Sequence, residues 1–183
     1  VHVLGQSWGG MLGMEYALAH PAGLASLTIA SSPAGMIQWV EEANKLRAEL
    51  PAEVQEALAH HEAAGTFADP AYQAAMDAFY ARHVCRVQPT PEEVKRSFDQ
   101  IAANPEAYVT MNGPSEFHVI GALKTWNILD RIGRIRAPTP ITSGRHDEAT
   151  PAISGAIHER VHGSRWVLFE DSSRMPHREE PER

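Results

Sequence analysis

The chain has 183 residues, of which 43% are hydrophobic and 21% are charged, so it is long enough for one sizeable hydrophobic core. Its formal net charge is −7 at pH 7 and it has no run of Lys and Arg that could follow a phosphate backbone, which argues against a nucleic-acid partner. It also lacks an apolar span of about 18 residues and a signal-peptide pattern, so we expect a soluble, cytoplasmic protein without a membrane partner.

A strand, a helix and a second strand are predicted at the start of the chain. Residues 1–4 are apolar and β-rich and are followed by Gly5, which indicates a buried strand of a parallel sheet. Residues 9–20 form an apolar run that ends at Pro21, which is typical of a buried helix, and 24–30 is the second strand. Because the sequence begins inside an apolar run and without Met, we expect it to be part of a longer chain.

A helical segment follows the second strand. Prolines mark the starts of its helices, because proline at the first helical position loses no hydrogen bond. The predicted helices cover 36–50, 51–61, 70–85 and 91–103, and no strand is predicted among them. We interpret 36–127 as an inserted helical cap between two parts of an α/β core, 1–35 and 128–183.

Strand and helix alternate again after the cap. Strands are predicted over 138–143 and 165–169, with a helix over 151–161 between them. Pro140 falls inside the first of these strands and has no N–H to donate, so we expect a bulge or a weakened strand there. The predicted fold class is therefore α/β with a mostly parallel sheet.

A Gly-x-Ser-x-Gly motif, in which Ser7 is the central residue, lies between the first strand and the first helix. We expect side chains at Gly5 and Gly9 to clash where the strand turns sharply into the helix, and the serine to take a strained conformation that exposes its hydroxyl. The N–H of Trp8 would then face the oxyanion formed when Ser7 attacks a carbonyl. The alternative is a glycine-rich turn with an incidental serine; a phosphate-binding loop is excluded because no Lys follows in the required place.

A serine nucleophile needs a histidine base and an acid that orients it, in the chain order Ser, Asp or Glu, His. Asp147 lies in the loop between the strand at 138–143 and the next helix and is the candidate acid, although it could instead cap that helix. The base is expected in 170–177, after the strand at 165–169. His177 is the only imidazole there.

Other residues with metal-binding chemistry give no prediction of a metal site. Cys85 is the only cysteine, so neither an internal disulfide nor a thiolate cluster can form within the chain. His60 and His61 are adjacent and diverge on a helix, and His158 and His162 share a helix face but are taken to lack the intervening glutamate of the zinc-protease pattern. We expect no metal, and the proposed chemistry implies no cofactor.

With these segments placed, the chain resembles the proline iminopeptidase family of α/β-hydrolases, serine exopeptidases that remove an N-terminal residue, often proline, from short peptides. Besides the serine motif, the run MNGPSEF at 111–117 looks like a cap signature of that family, and 143–151 looks like its acid loop. The similarity extends over 1–183. It implies the α/β-hydrolase fold, with Ser7 as nucleophile and Asp147 as the orienting acid.

The resemblance also implies a pair of carboxylates that binds the substrate. In the family two glutamates bind the free amino group, and Glu116 and Glu148 match their positions. An ammonium that leaves water needs charge-assisted hydrogen bonds, and carboxylates would restrict the site to substrates with a free N-terminus. The alternative is that both glutamates are ordinary surface acids.

Two departures from the family pattern affect the expected activity. Arg174 stands at the position of the catalytic histidine and stays charged near neutral pH, while His177 corresponds in that register to a second, non-catalytic histidine. The loop that supplies the second oxyanion N–H in the family precedes the first strand and is not in this sequence, so the edge of that strand would be exposed. We therefore expect this chain to be poorly active.

Three functions remain open. The first is a serine hydrolase of this family that releases an N-terminal residue from peptides or amino-acid amides through an acyl-enzyme on Ser7. The second is an amidase or esterase of the same fold, in which His177 moves into the base position. The third is an inactive fragment or a binding module. The sequence predicts neither the substrate preference nor the oligomeric state.

Overall fold

A four-stranded parallel sheet in the order β1-β2-β3-β4 forms the framework of the computed structural model, which describes residues 1–183. The strands are β1 His2–Gln6, β2 Ser26–Ala30, β3 Pro140–Gly144 and β4 Arg165–Phe169. Every neighbouring pair of strands is parallel. The predicted α/β class is therefore confirmed.

Eight helices accompany the strands, and five of them form a long helical segment between β2 and β3. They are α1 Trp8–Leu18, α2 Met36–Ala48, α3 Ala52–Ala64, α4 Pro70–His83, α5 Glu92–Ala103, α6 Glu106–Met111, α7 Pro151–Arg160 and α8 Pro176–Glu179. Two 3₁₀ turns, Ala122–Thr125 and Ile132–Arg134, connect α6 to β3. No helix combines the length and the apolar composition that crossing a membrane requires.

The main core lies between the sheet and the helices α1 and α7, which contact β1 and β2, and β3 and β4, respectively. Ile29 of β2 and Ile141 of β3 are register partners and are both buried. Met14 of α1 and Ile157 of α7 belong to the same cluster. Full burial of each such side chain contributes about 1.5–3 kcal/mol, so this cluster fixes the sheet on which the site is built.

The helical segment α2–α6 has its own hydrophobic core, and its two ends lie side by side. Its buried cluster includes Leu58, Tyr72, Phe79 and Phe117. Gly35 and Asn127 form an antiparallel backbone bridge, and the N–H of Ile128 donates to the carbonyl of Ala34 at 2.8 Å. The two ends of the segment are thus joined by backbone hydrogen bonds.

Prolines mark the helix starts in this segment, though not all at the predicted position. Pro70 is the first residue of α4, and the Asp69 side chain accepts a 2.8 Å hydrogen bond from the Ala71 N–H. Pro51 and Pro91 instead lie one residue before α3 and α5. A backbone N–H at either position would find no acceptor within the helix, so proline, which has no N–H, loses no hydrogen bond there.

Pro140 shortens the pairing of β3 without disturbing its register. It is the first residue of β3, and the ladder to β2 begins at the pair Ile29–Ile141. The Leu27 N–H donates to the Pro138 carbonyl at 3.1 Å, which continues the same register on the other side of the proline. The expected weakening is therefore present as a shorter ladder, and no bulge forms.

Candidate active site

Ser7 occupies a strained backbone position at the turn from β1 to α1. Its φ is 55° and its ψ −124°, a combination that a residue with a side chain adopts only under constraint. The Ser7 N–H donates to the Ala30 carbonyl at 3.0 Å, which fixes the turn to β2. A Cβ on Gly5 would lie 2.2 Å from the Gly9 carbonyl oxygen, so the strand and helix backbones meet where only glycine fits. The predicted sharp turn is present.

The steric reason expected for the second glycine of the motif is wrong. A Cβ on Gly9 would meet nothing within 4 Å. Gly10 is the crowded position instead, because a Cβ there would lie 2.0 Å from the Ser32 Oγ and 3.1 Å from the Gly5 carbonyl oxygen. The pattern therefore identified the close contact between strand and helix but placed one of its two partners a residue too early.

A cavity of about 440 Å³ opens beside Ser7, beneath the helical segment. Its polar groups include Ser7, Glu116 and Arg174, and its apolar wall is formed by Met11, Met36, Trp39, Met111 and Leu123, among others. Trp8 also lines it and begins α1, so its N–H has no intrahelical acceptor and is available to a ligand oxygen. The arrangement suits a small apolar ligand with a charged or polar end.

Asp147 is buried in the turn that follows β3. It is 1% exposed, its Oδ1 accepts a hydrogen bond from the Ala149 N–H at 2.8 Å, and its Oδ2 has no partner. Burial raises the pKa of Asp147 from 3.8 to about 6, against the opposing effects of Arg174 and Ser31. The N-cap of α7 is Thr150, so helix capping is not the role of this carboxylate.

Glu148 and Glu116 converge on a single cation, the guanidinium of Arg174. Glu148 is 1% exposed and its Oε1 pairs with Nη1 of Arg174, while Oε2 of Glu116 lies 3.8 Å from Nη2. Glu116 is held by its backbone, since its carbonyl accepts a 2.7 Å hydrogen bond from the Trp39 indole. Burial raises the pKa of Glu148 well above its ordinary value, although Arg174 acts in the opposite direction. Glu148 is thus no surface acid.

Arg174 lies in the middle of the site and is 5% exposed. Its Nη2 donates to Ser7 Oγ, and its guanidinium carbon lies 5.3 Å from the centre of the Trp39 ring. Its carbonyl accepts hydrogen bonds from Gln6 Nε2 at 3.0 Å and Ser31 Oγ at 3.2 Å. Although burial alone would lower it, the surrounding carboxylates raise the pKa of Arg174, so the residue stays charged.

His177 lies elsewhere, exposed on the short helix α8. No hydrogen bond joins it to Ser7 or Asp147, and Arg174 occupies the space beside the serine. The structure therefore brings Ser7, Glu116, Glu148 and Arg174 together, with Asp147 near enough for the charge of Arg174 to lower its pKa, and leaves His177 outside this group.

The sequence matches the model for the alpha/beta hydrolase fold family over residues 1–181. The chain belongs to this α/β-hydrolase family. It is 38% identical over 181 residues to the proline iminopeptidase of Saccharolobus solfataricus, a match that covers 99% of this chain and 58% of that protein.

Two solved structures of α/β-hydrolases are more similar still. The crystal structure of VinJ matches with 49% identity and a TM-score of 0.96, over 99% of this chain and 61% of that one. The proline iminopeptidase of Mycobacterium smegmatis matches with 50% identity and a TM-score of 0.89, over 99% and 60% of the two chains. This α/β-hydrolase chain therefore spans about three fifths of the length of its relatives, and the resemblance to proline iminopeptidases stated from the motifs is confirmed.

A histidine that sequence reasoning missed ties the helical segment of this α/β-hydrolase to its acid loop. His83, the last residue of α4, is buried, and its Nδ1 lies 2.9 Å from the His146 carbonyl. Its own carbonyl accepts a 3.2 Å hydrogen bond from the Glu148 N–H. The two bonds flank Asp147 on both sides. No sequence signal pointed to this contact, because it joins segments 63 residues apart.

The stated reason for setting aside His158 and His162 is wrong, because Glu159 follows His158 and the run His158-Glu159-Arg160-Val161-His162 has the His-Glu-x-x-His spacing of zinc proteases. That motif requires both histidines on one continuous helix. Helix α7 ends at Arg160 and Val161 is extended, so His162 leaves the helix. The His158 Nδ1 is also engaged by Ser164 Oγ at 2.8 Å. The run therefore does not form the helical zinc-binding arrangement.

Proposed function

We propose that this chain carries the catalytic serine site of an aminopeptidase of the proline iminopeptidase type, which releases an N-terminal residue from peptides or amino-acid amides. The observation that carries the proposal is the position of Ser7. Its strained backbone presents the hydroxyl to a cavity that also contains Glu116, with Glu148 beside it. The residues 36–127 act in this proposal as a cap that closes the cavity.

In the proposed reaction Ser7 Oγ attacks the carbonyl of the N-terminal residue, and the Trp8 N–H stabilises the resulting oxyanion. A histidine base would take the serine proton and pass it to the leaving nitrogen, so that the peptide amine or ammonia departs; water then hydrolyses the acyl-enzyme and regenerates the serine hydroxyl. Glu116 and Glu148 bind the substrate ammonium, which places the first residue in the cavity. Asp147 would orient a histidine base, and its buried, unpartnered Oδ2 is the atom to which that imidazole would donate.

The same geometry accounts for the poor turnover that we propose for this chain. Arg174 stands where the base is expected, donates to Ser7 Oγ and remains charged, so it cannot accept the serine proton. Loss of the base from a Ser-His pair costs about a millionfold in turnover. This observation also favours a second candidate, a binding protein that has kept the pocket of the hydrolase without its chemistry.

The substitution Arg174→His tests the proposal. A fluorophosphonate should then phosphonylate Ser7 Oγ with loss of fluoride, while the imidazole takes the proton, and intact mass spectrometry follows the adduct. We expect the labelling rate to rise by at least about 100-fold over the wild-type chain, the lower range for a positioned general base. Arg134→His, at an exposed arginine without an ion pair, is the matched control and should change nothing.

The same variant separates the candidate functions. A Ser7→Ala change in the Arg174→His background should abolish labelling, and proline anilide should be cleaved faster than a short acyl ester without an amine. Faster cleavage of the ester would favour an esterase or amidase of the same fold. A folded Arg174→His chain that shows no Ser7-dependent adduct would contradict the hydrolase proposal and leave the binding role.

A further inference from the structure

We propose that the guanidinium of Arg174 occupies the cation-binding position between Glu116 and Glu148, so that the chain holds its own side chain where the ammonium of a ligand would bind. The inference rests on the proposed role of the two glutamates as an amine-binding pair. It adds that one residue both replaces the base and fills the ligand site. The site is therefore closed to small cations until Arg174 is removed.

The contacts of Arg174 are those of a bound cationic ligand. Its Nη1 pairs with Glu148, its Nη2 lies 3.8 Å from Oε2 of Glu116, and its guanidinium carbon lies 5.3 Å from the centre of the Trp39 ring. Carboxylates and an aromatic face are the groups by which proteins bind ammonium and guanidinium ions. Glu116, Trp39 and Arg174 all line the cavity that opens beside Ser7, so the cation lies at the ligand cavity and not in the protein core.

A cation at this position stabilises the ionised form of Glu148, whose pKa is otherwise raised by burial. Glu148 is almost fully buried, and a buried carboxylate is stable in its ionised form only when it is paired. Its Oε2 has no partner even with Arg174 in place, which leaves an acceptor for a further donor. No other Lys, Arg or His pairs with Glu148, so loss of Arg174 leaves this carboxylate unpaired beside the cavity.

The backbone makes this occupation persistent. The Arg174 carbonyl is held by Gln6 and Ser31, so the residue cannot leave the site through a simple loop shift. A tethered group competes with a free ligand at a high effective concentration. A ligand ammonium must therefore displace a guanidinium that is held in place by its own chain.

The test compares cation binding by the wild-type chain with Arg174→Ala and Arg174→Met, using prolinamide and methylguanidinium as probes in calorimetric titrations. We expect both variants to bind both cations at least about tenfold more tightly than the wild-type chain does. N-acetylprolinamide, which has no ammonium, should not bind. Adding Glu148→Gln to either variant should lose the gain, and Arg134→Ala should behave as the wild-type chain.

The stability of the variants supplies a second measurement. An unpaired Glu148 lowers the melting temperature, and methylguanidinium should raise it again in Arg174→Ala but leave the wild-type chain unchanged. A variant that folds only in the presence of either cation supports the inference. Variants that fold without gaining affinity, or that stay unfolded at every concentration of both cations, overturn it.

The outcome is distinguishable from a failure of the proposed function. Ser7 labelling in Arg174→His together with no cation binding in Arg174→Ala removes only the inference about occupation. Cation binding in Arg174→Ala without Ser7 labelling in Arg174→His removes the hydrolase proposal and leaves the occupied cation site.

Discussion

Arg174 donates a hydrogen bond from Nη2 to the Oγ of Ser7, so a permanent cation contacts the hydroxyl that the strained turn exposes. The other arm of the same guanidinium pairs with Glu148, which is buried. The two residues of such a buried ion pair are strongly coupled in stability, because removal of either one leaves the other buried without a partner.

The Arg174–Glu148 pair predicts a large coupling energy. We expect Arg174→Met and Glu148→Met each to lower the free energy of unfolding by about 3–5 kcal/mol, and the double variant to lose less than the sum by about 1–3 kcal/mol. Urea denaturation of the four chains measures this. The exposed pair Arg145–Glu170 is the comparison, and its removal should cost less than about 1 kcal/mol. Additive effects of the two buried substitutions would contradict the predicted coupling.

Asp147 predicts a loss of stability as the pH rises from 4 to 6. Because burial raises its pKa from 3.8 to about 6, the native chain keeps a proton that the unfolded chain has released in this range. Ionisation of Asp147 at higher pH therefore destabilises the native state by about 3 kcal/mol, because a pKa difference of one corresponds to about 1.4 kcal/mol. Asp147→Asn should therefore flatten the decline in the free energy of unfolding between pH 4 and pH 7, measured with urea.

A matched change at an exposed carboxylate provides the reference for this pH effect. Asp130 is exposed, so Asp130→Asn should leave the pH dependence as it is in the wild-type chain. An Asp147→Asn chain with the same pH dependence as the wild-type chain would show that Asp147 is ionised more easily than its burial implies.

The turn at Ser7 predicts opposite results for the two glycines of its motif. A Cβ at residue 5 would overlap the backbone of Gly9, so Gly5→Ala should destabilise the chain by about 3 kcal/mol or more. Gly9→Ala meets nothing and should stay within about 1 kcal/mol of the wild-type chain. Chemical denaturation compares the free energies of unfolding of the two variants. Equal losses of stability would show that the contact at residue 5 does not cause the destabilisation.

His83 predicts a local weakening of the acid loop. Its Nδ1 must carry the proton, because its partner, the His146 carbonyl, can only accept. His83→Phe keeps a ring against Phe79 and removes the donor, which should cost about 1–3 kcal/mol and speed exchange of the Glu148 amide hydrogen. His60→Phe, at an exposed position, should leave both measurements unchanged.

The sequence predicted the elements whose signals are local. The turn at Ser7, the strand at 165–169 and the helix starts near Pro51, Pro70 and Pro91 follow from short patterns of glycine, proline and apolar residues, and they agree with the structure to within a few residues. The crowded glycine was misplaced because a pattern does not show which backbone atoms approach. In the folded chain it is Gly10, and not Gly9, that lies too close to its neighbours to carry a side chain.

The sequence predicted which residues belong to the site better than it predicted the contacts between them. Arg174 was recognised as standing in the place of the base, but its pairing with Glu116 and Glu148 depends on three loops meeting at one edge of the sheet. The bond from His83 to the acid loop has no sequence signature, because no residue near His83 in the chain indicates which distant loop packs against the end of α4.

The carbonyl of residue 174 is held by Gln6, from the strand before the serine, and by Ser31, which follows the next strand. These hydrogen bonds involve the main chain and are independent of the side chain attached to it. Whatever amino acid stands at this position is therefore delivered to the same point above the serine hydroxyl. The side chain at this position can therefore be exchanged without a change in the backbone that holds it, which makes position 174 a natural starting point for directed evolution of the scaffold.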